Sequence, residues 1–122
     1  MRVVIVDPDL KAGRKLAASV EQVHPSADVL LYAESQEAIT GIVEHSPDVT
    51  FVAPKVGALD GPTFLAKAHQ ASASPKYVGM VDQPGLDASV RWVDAGAQLV
   101  VARPVDKLGV RTALSHTDGG IG

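Results

Sequence analysis

The sequence contains no cysteine, and this absence excludes several kinds of chemistry. There is no disulfide framework, no thiolate metal site and no cysteine nucleophile, a composition that suits the reducing cytoplasm. Long hydrophobic runs are also missing, because no segment approaches the ~18 apolar residues that a membrane-spanning helix needs. The apolar run near the start ends at Asp7 and is too short for the core of a signal peptide. We therefore expect a cytoplasmic protein that makes no membrane contact.

Neither charge sign is in large excess. Eleven Lys and Arg residues stand against 14 Asp and Glu, a net charge of -3, and 46% of the residues are hydrophobic. A nucleic-acid surface needs clustered positive charge, so we predict that this domain binds no nucleic acid itself. A chain of 122 residues has the length of one domain with its own core. We predict one domain over residues 1–115, followed at 116–122 by a glycine-rich tail or the start of a linker.

The common motifs of catalytic and cofactor sites are missing as well. Gly57 and Gly61 lack the GxGxxG spacing of a dinucleotide site, and there is no Walker-type loop. No serine lies in a nucleophile elbow, and no two histidines have the i, i+4 spacing of metal ligands. We therefore predict no catalytic residue, no cofactor and no metal ion. The sequence favours a binding module over an enzyme.

Five short β-branched runs alternate with five amphipathic segments, which predicts a (βα)5 chain. The fold class that follows is α/β: a doubly wound, parallel five-stranded sheet between helices, in a three-layer α/β/α sandwich. Strands are predicted at 2–7, 28–33, 49–53, 77–81 and 99–102. Helices are predicted at about 9–23, 35–45, from Pro62 onward, at about 86–95 and at about 106–115. Ser35 is predicted to cap the second helix.

Each predicted helix carries apolar residues at helical spacing, which we expect to face the sheet. These residues are Leu10, Leu16, Val20 and Val23 in the first helix, Ala38, Ile39, Ile42 and Val43 in the second, Phe64, Leu65 and Ala68 in the third, Leu86, Val90 and Val93 in the fourth, and Leu108, Val110, Ala113 and Leu114 in the fifth. Functional groups of such a sheet collect beyond the carboxyl ends of its strands. The residues there are Asp7, Ala53, Val81 and Arg103.

The segment PDVTFVAPKVGALDG at 47–61 resembles the third strand and following loop of two-component receiver domains, which have the CheY-like, flavodoxin-like fold. VDPD at 6–9, DAGA at 94–97 and RP at 103–104 extend the resemblance from Met1 to about Leu114. In receivers an aspartate at the end of the third strand accepts phosphate. Here that residue is Ala53, whose methyl group cannot attack a phosphoryl donor.

Other pocket positions also depart from the receiver pattern. Receivers hold Mg²⁺ with two adjacent acids after the first strand; Asp7 matches the first, but Pro8 occupies the place of the second. Val81 stands where receivers have a hydroxyl that binds the phosphoryl oxygen. Arg103 replaces a lysine before a cis-proline, which is Pro104 here. The resemblance thus implies a degenerate phosphorylation pocket, in which we predict that Arg103 pairs with Asp7 or with Asp82.

The resemblance implies a receiver that is not phosphorylated and that binds a protein partner or a second copy of itself. Receivers communicate through the fourth helix, fifth strand and fifth helix. In this chain that surface includes Ser89, Trp92, Val93, Val100, Lys107 and Arg111. Val100 takes the place of the aromatic switch residue. Trp92 lies about a third of a turn from the apolar stripe of its helix, so it is either an interface anchor or a core residue.

Two alternative functions stay open at this stage. In one, the vacated pocket senses a small acidic ligand, which Arg103 binds. In the other, the chain is a working phosphorelay receiver with a substitute acceptor, for which Asp60 is the nearby candidate. The sequence does not exclude either.

Overall fold

The computed structural model describes residues 1–115, in which strands and helices alternate. The strands are β1 (Arg2–Val6), β2 (Asp28–Tyr32), β3 (Val49–Val52), β4 (Lys55–Val56), β5 (Leu59–Asp60), β6 (Lys76–Val81) and β7 (Leu99–Ala102). The helices are α1 (Leu10–Val23), α2 (Ser35–His45), α3 (Gly61–Ala71), α4 (Leu86–Ala95) and α5 (Lys107–Ser115). The predicted tail at 116–122 lies outside the described residues.

Five of the strands form one parallel sheet in the order β2-β1-β3-β6-β7. Helices α2, α3 and α4 contribute to the core on one face of this sheet, and α1 and α5 contribute to the core on the other. The predicted α/β/α sandwich is therefore confirmed. Because the strands are parallel, the ends of β1, β3, β6 and β7 lie at one edge of the sheet, which brings Asp7, Ala53 and Arg103 near one another.

Strand β1 shows why its sequence is apolar without alternation. Val3, Val4, Ile5 and Val6 are all fully buried. Val4 and Val6 join the core on one face, whereas Val3 and Ile5 join the core on the other. A strand covered by helices on both faces has no side for polar residues, so every position is apolar.

Carboxylate side chains begin four of the helices, including α5, where Asp106 accepts from the N–H of Gly109 at 2.7 Å. Asp9 caps α1 by accepting hydrogen bonds from the backbone N–H groups of Lys11 and Ala12. Asp60 caps α3 by accepting from the N–H of Thr63 at 2.9 Å. The predicted cap of α2 is wrong, because Glu34, one residue before Ser35, accepts there. The longer glutamate side chain reaches the free N–H groups of the first turn and leaves Ser35 as the first helical residue.

The segment after β3 contains a feature that the sequence did not predict. Residues 54–60 were expected to form a loop, but β4 and β5 pair there as an antiparallel hairpin. Gly57 in its turn has φ +63, the left-handed region that favours glycine. Val56 is fully buried and anchors the hairpin on the α2–α3 side of the sheet.

Several predicted helix faces are corrected by the structure. The inward positions Phe64, Leu65 and Ala68 of α3 are confirmed, since all three are fully buried. Six residues predicted to face the core are instead exposed: Leu10, Val43, Leu86, Val90, Val93 and Leu108. A helix on a sheet buries only a narrow stripe, so apolar residues at its ends or beside that stripe remain in solvent.

A buried lysine links α5 to the sheet. Lys76, at the start of β6, is 6% exposed and its Nζ donates a 2.8 Å hydrogen bond to the carbonyl oxygen of Ala113. Burial lowers the pKa of Lys76 below its ordinary value. A cation near the last turn of a helix interacts favourably with the carbonyl end of the helix dipole. This contact helps to hold α5 beside β6.

Candidate functional site

Ala53 directly follows β3, at the position where the resemblance implies an acceptor aspartate. The residue is 1% exposed, and its N–H donates to the carbonyl oxygen of Val6 at 2.9 Å. Its methyl group belongs to the apolar core on the α1–α5 side of the sheet. This position therefore offers neither a nucleophile nor a metal ligand.

Asp7 follows β1 and has its carboxylate almost fully buried, with the side chain 4% exposed. One oxygen accepts from the N–H of Asp9 at 2.9 Å, and the other accepts from Nη1 of Arg103 at 3.1 Å. Burial raises the pKa of Asp7, and these two contacts oppose the shift only in part. Both oxygens of the carboxylate are thus engaged by the protein itself.

Arg103 follows β7 and joins two aspartates at once. Its Nε and Nη2 donate to the two carboxylate oxygens of Asp82 at 2.9 and 3.2 Å, while Nη1 donates to Asp7. The planar guanidinium suits such two-point pairing with a carboxylate. Hydrogen bonding to Asp82 raises the pKa of Arg103, so the group stays positively charged. The sequence suggested one partner or the other, whereas the structure has both. The peptide bond from Arg103 to Pro104 is cis, as the resemblance implies.

The remaining pocket positions carry no phosphate-binding group. Val81 ends β6 and is 7% exposed, packed in the same apolar core as Trp92. Pro8 is exposed and has no N–H to donate. The carboxylate of Asp9 points to the start of α1, which it caps. Within residues 1–115 no group of three or more histidine and acidic side chains is arranged to hold a metal ion.

A groove of about 510 Å³ opens beside Arg103, between α1 and the loop after β7. Leu16 and Met80 are among its apolar lining residues, and Lys11 and Lys15 of α1 supply positive charge. The carboxylates of Asp7, Asp9 and Asp82 line the same groove. Acidic and basic groups are therefore mixed along it.

Asp60 is occupied by two structural contacts. One carboxylate oxygen caps α3 through the N–H of Thr63, and the other pairs with Arg91 of α4. Hydrogen bonds from Thr63, followed by the one from Arg91, lower the pKa of Asp60 to about 2. Asp60 therefore lies at the junction of α3 and α4 and takes part in fixing both.

Trp92 determines which side of α4 faces the core. The indole is 2% exposed, and a Cβ added at Gly79 of β6 or at Gly61 of α3 would overlap with its ring. The two glycines therefore leave the space that the ring fills. Of the two roles that the sequence left open for Trp92, interface anchor and core residue, its burial supports the core residue.

The burial of Trp92 turns the apolar stripe of α4 towards solvent. Leu86, Val90 and Val93 are 79%, 48% and 58% exposed, and we call these three residues the α4 ridge. All three residues were predicted to face the core, and only Val93 was also predicted for the partner surface. The signal in the sequence that distinguishes the two faces is the size of the tryptophan side chain. Only one face of α4 can pack on the sheet, and the face with Trp92 does so in place of the apolar stripe.

Other predicted surface positions lie around the edge of the sheet. β7 is an edge strand, with Val100 half-buried. Lys107 and Arg111 on α5 are exposed, and Ser89 on α4 is half-buried. Leu108 of α5, which was predicted to face the core, is 72% exposed.

In the described part of the chain no helix is long and apolar enough to cross a membrane.

No protein-family model matches the sequence, and no curated protein matches it. Solved structures do match. A CheY-like response regulator receiver domain from Methanospirillum hungatei JF-1 is 22% identical, with a TM-score of 0.84 over 97% of this chain and 94% of that one. A two-component response regulator from Clostridium difficile is 17% identical, with a TM-score of 0.87 over 100% and 98%. The chain has the receiver fold.

A third match supports the receiver fold. The signal receiver domain of a DNA-binding response regulator from Colwellia psychrerythraea 34H is 19% identical, with a TM-score of 0.86 over 97% of this chain and 98% of that one. The resemblance seen in the sequence is confirmed at the level of the receiver fold. Because these identities lie between 17% and 22%, the likeness extends to the fold alone.

Proposed function

We propose that this chain is an atypical receiver domain of two-component signal transduction, which works without phosphorylation as a protein–protein interaction module. The observation that carries the proposal is the Arg103 contact to Asp7 and Asp82 beside a buried Ala53. The cation that would meet a phosphoryl group is already bound to two carboxylates. The acceptor position holds a methyl group. A cytoplasmic setting remains a prediction of the sequence.

Phosphoryl transfer to an aspartate needs a nucleophile, a metal ion and groups that stabilise the transferred charge. Ala53 cannot supply the nucleophile, and Val81 cannot donate a hydrogen bond. Asp7 accepts from Arg103 and from the N–H of Asp9, so a metal ion at this carboxylate would lie beside the positive charge of Arg103. These features together support a pocket that is not used for phosphorylation.

The proposed interaction surface consists of the α4 ridge with neighbouring β7 and α5, and the proposed occupant is a second copy of this chain. The ridge is apolar, so two copies can cover each other's ridge without burying a charge. α4 also exposes Asp87 and Asp94, and α5 exposes Lys107 and Arg111. None of these four has an ion-pair partner within residues 1–115. In a two-fold contact that sets α4 of one copy beside α5 of the other, the acidic residues of α4 can pair with the basic residues of α5.

Phosphorylation is tested by incubating the protein with acetyl phosphate and Mg²⁺ and measuring the intact mass. We expect no added mass, and we expect beryllofluoride with Mg²⁺ to leave the spectra unchanged. The Asp60→Asn variant is the control for a substitute acceptor. A gain of one phosphoryl group on the unaltered chain contradicts the proposal, and its loss in Asp60→Asn would assign that residue as acceptor.

Self-association is tested by sedimentation equilibrium over a wide concentration range. We expect a dimer that Val90→Asp abolishes. Val43 of α2 is the matched control, because it is 49% exposed against 48% for Val90, and Val43→Asp should leave the dimer intact. A chain that stays monomeric at all concentrations overturns the second copy as occupant. Equal effects of the two substitutions exclude the α4 ridge from the interface.

One alternative function has a specific observation in its favour. The groove of about 510 Å³ beside Arg103, with Lys11 and Lys15 on its wall, is large enough for a small acidic ligand. Thermal unfolding in the presence of small di- and tricarboxylates tests this possibility through the shift in Tm. The Asp60 phosphorelay hypothesis has no such support, since Thr63 and Arg91 engage both of its oxygens.

A further inference from the structure

The loop between β6 and α4 has few links to the rest of the domain. It comprises residues 82–85 and leads directly into Leu86, the first residue of the α4 ridge. Gly85 stands at the N-cap of α4 and offers no side-chain hydrogen bond there. Among the side-chain hydrogen bonds of the described residues, only those of Asp82 tie this loop to another element, namely to Arg103. The first turn of α4 is therefore held by this ion pair and by the packing of half-buried Ala88 against the core.

The two pairs made by Arg103 differ in their exposure to solvent. The Asp7 side chain is 4% exposed, whereas the Asp82 side chain is 63% exposed and the Arg103 side chain 25%. Dissolved salt screens exposed charges strongly and buried charges weakly. The pair with Asp7 thus anchors the guanidinium to the sheet, and the pair with Asp82 is the contact that solvent ions can weaken.

The other end of α4 is held by apolar packing as well as by an ion pair. Trp92 is packed against Gly61 and Gly79, and Arg91 pairs with Asp60 at the start of α3. Apolar packing of the ring does not depend on charge. Loss of the Asp82 contact therefore leaves only the packing of Ala88 to hold the first turn of α4, whereas the second half stays in place.

We infer that the Asp82–Arg103 pair is an ionic latch. It holds the first turn of α4, and with it Leu86, in the position in which the α4 ridge can contact a second copy. Salt or the loss of Asp82 opens this latch. This inference rests on the proposed function, because it assigns a control to the same α4 ridge. The other charged groups along the groove beside the latch are Asp7, Asp9, Lys11 and Lys15. With the latch closed, the ridge is present without any phosphorylation signal. With the latch open, Leu86 moves independently of Val93.

Hydrogen–deuterium exchange of the full chain at low and high salt tests the latch, with Asp82→Ala as the variant. Exposed ion pairs are worth up to ~1 kcal/mol, so we expect amides at 83–89 to exchange faster in Asp82→Ala by a factor on the order of five. Amides of α5 and of the sheet should be unchanged. Added salt should accelerate exchange at 83–89 in the unaltered chain and have no further effect in Asp82→Ala.

Asp94→Ala is the control, because it removes an exposed acid of α4 that lies outside 83–89 and has no ion-pair partner within residues 1–115. We expect its exchange to match that of the unaltered chain. Equal exchange at 83–89 in the unaltered chain and in Asp82→Ala overturns the latch, as does a salt effect that persists in Asp82→Ala. Exchange measured on dilute protein needs no partner, so the latch can hold even where the sedimentation experiment finds a monomer. If Asp82→Ala forms the dimer with undiminished affinity, the proposed interaction surface stands and the latch is overturned.

Discussion

The ring of Trp92 lies in the space that a side chain at Gly79 would occupy. This contact joins α4 to β6 and leaves Leu86, Val90 and Val93 in solvent. The orientation of the proposed docking surface is thus a consequence of one aromatic residue and of the absence of Cβ atoms at Gly79 and Gly61.

Gly79→Ala tests this packing. The added methyl group would overlap with the ring of Trp92, and overpacking of this kind destabilises a core by ~1–3 kcal/mol. Urea unfolding followed by the fluorescence of the single tryptophan measures the change. Gly85→Ala is the control, because nothing lies within 4 Å of a Cβ at Gly85. Equal stability of the two variants contradicts the packing account.

Arg103→Ala removes the cation from the pocket mouth. Asp7 is then left buried with only one hydrogen-bond donor, so the free energy of unfolding should fall by ~1 to 3 kcal/mol. Chemical denaturation provides the measurement. Arg91→Ala breaks a pair whose two side chains are 61% and 41% exposed, and its cost should stay below ~1 kcal/mol. An Arg103→Ala variant as stable as the parent chain would defeat the structural role given to this pair.

Acid unfolding should report the charge of Asp60. Its folded pKa of about 2 is lower than the ordinary 3.8, so its stabilising contribution is present above pH 3.8 and is lost as the pH falls to about 2. Asp60→Asn keeps an N-cap and removes the charge. The stability gap between the parent chain and Asp60→Asn should therefore shrink over this pH range. Solvent screening limits the gap to less than ~1 kcal/mol, and a gap that is independent of pH argues against the assignment.

Asp7 should show the opposite dependence. Burial raises its folded pKa above 3.8, so its protonated form favours folding, and this contribution is lost as the pH rises through the folded pKa. NMR titration of the carboxyl carbons distinguishes the two groups. We expect Asp7 to titrate above 3.8 and Asp60 below it, and the reverse order contradicts both assignments.

Thr50→Val should stabilise the protein. Thr50 is fully buried, and its hydroxyl has no hydrogen-bond partner among the residues that the structure describes. Valine has nearly the same shape without the polar group, so a gain of about 1 kcal/mol is expected in urea unfolding. Thr112→Val is the control, since its hydroxyl donates to the carbonyl of Leu108 at 2.9 Å and its loss brings no gain. A destabilised Thr50→Val variant would show that the hydroxyl is satisfied.

Ala53→Asp restores the acceptor but none of the other phosphate-binding groups. Pro8 and Val81 still leave the metal ion and the phosphoryl oxygen without support, and Asp7 remains bound to Arg103. We expect no phosphoryl transfer from acetyl phosphate to this single variant, as measured by intact mass. Robust labelling would mean that the pocket retains more of its chemistry than these residues indicate.

The order of strands and helices could be predicted from the sequence because it depends on local patterns. Runs of β-branched residues, the proline after Asp7 and the acid at Asp9 act within a few positions of the chain. The loss of the acceptor is also a property of one residue, Ala53. These features need no knowledge of the tertiary structure beyond the position of each strand end.

Only the tertiary structure decided which face of α4 is buried and how Arg103 is satisfied. The stripe of Leu86, Val90 and Val93 has the spacing of a buried helix face. The spacing of apolar residues gives no information about the space beside Gly79 that accepts the ring of Trp92. Arg103 finds Asp82 across 21 positions of the chain and Asp7 across 96. Both contacts depend on atoms that meet only when the sheet has formed, because packing and ion pairing act through space rather than along the sequence.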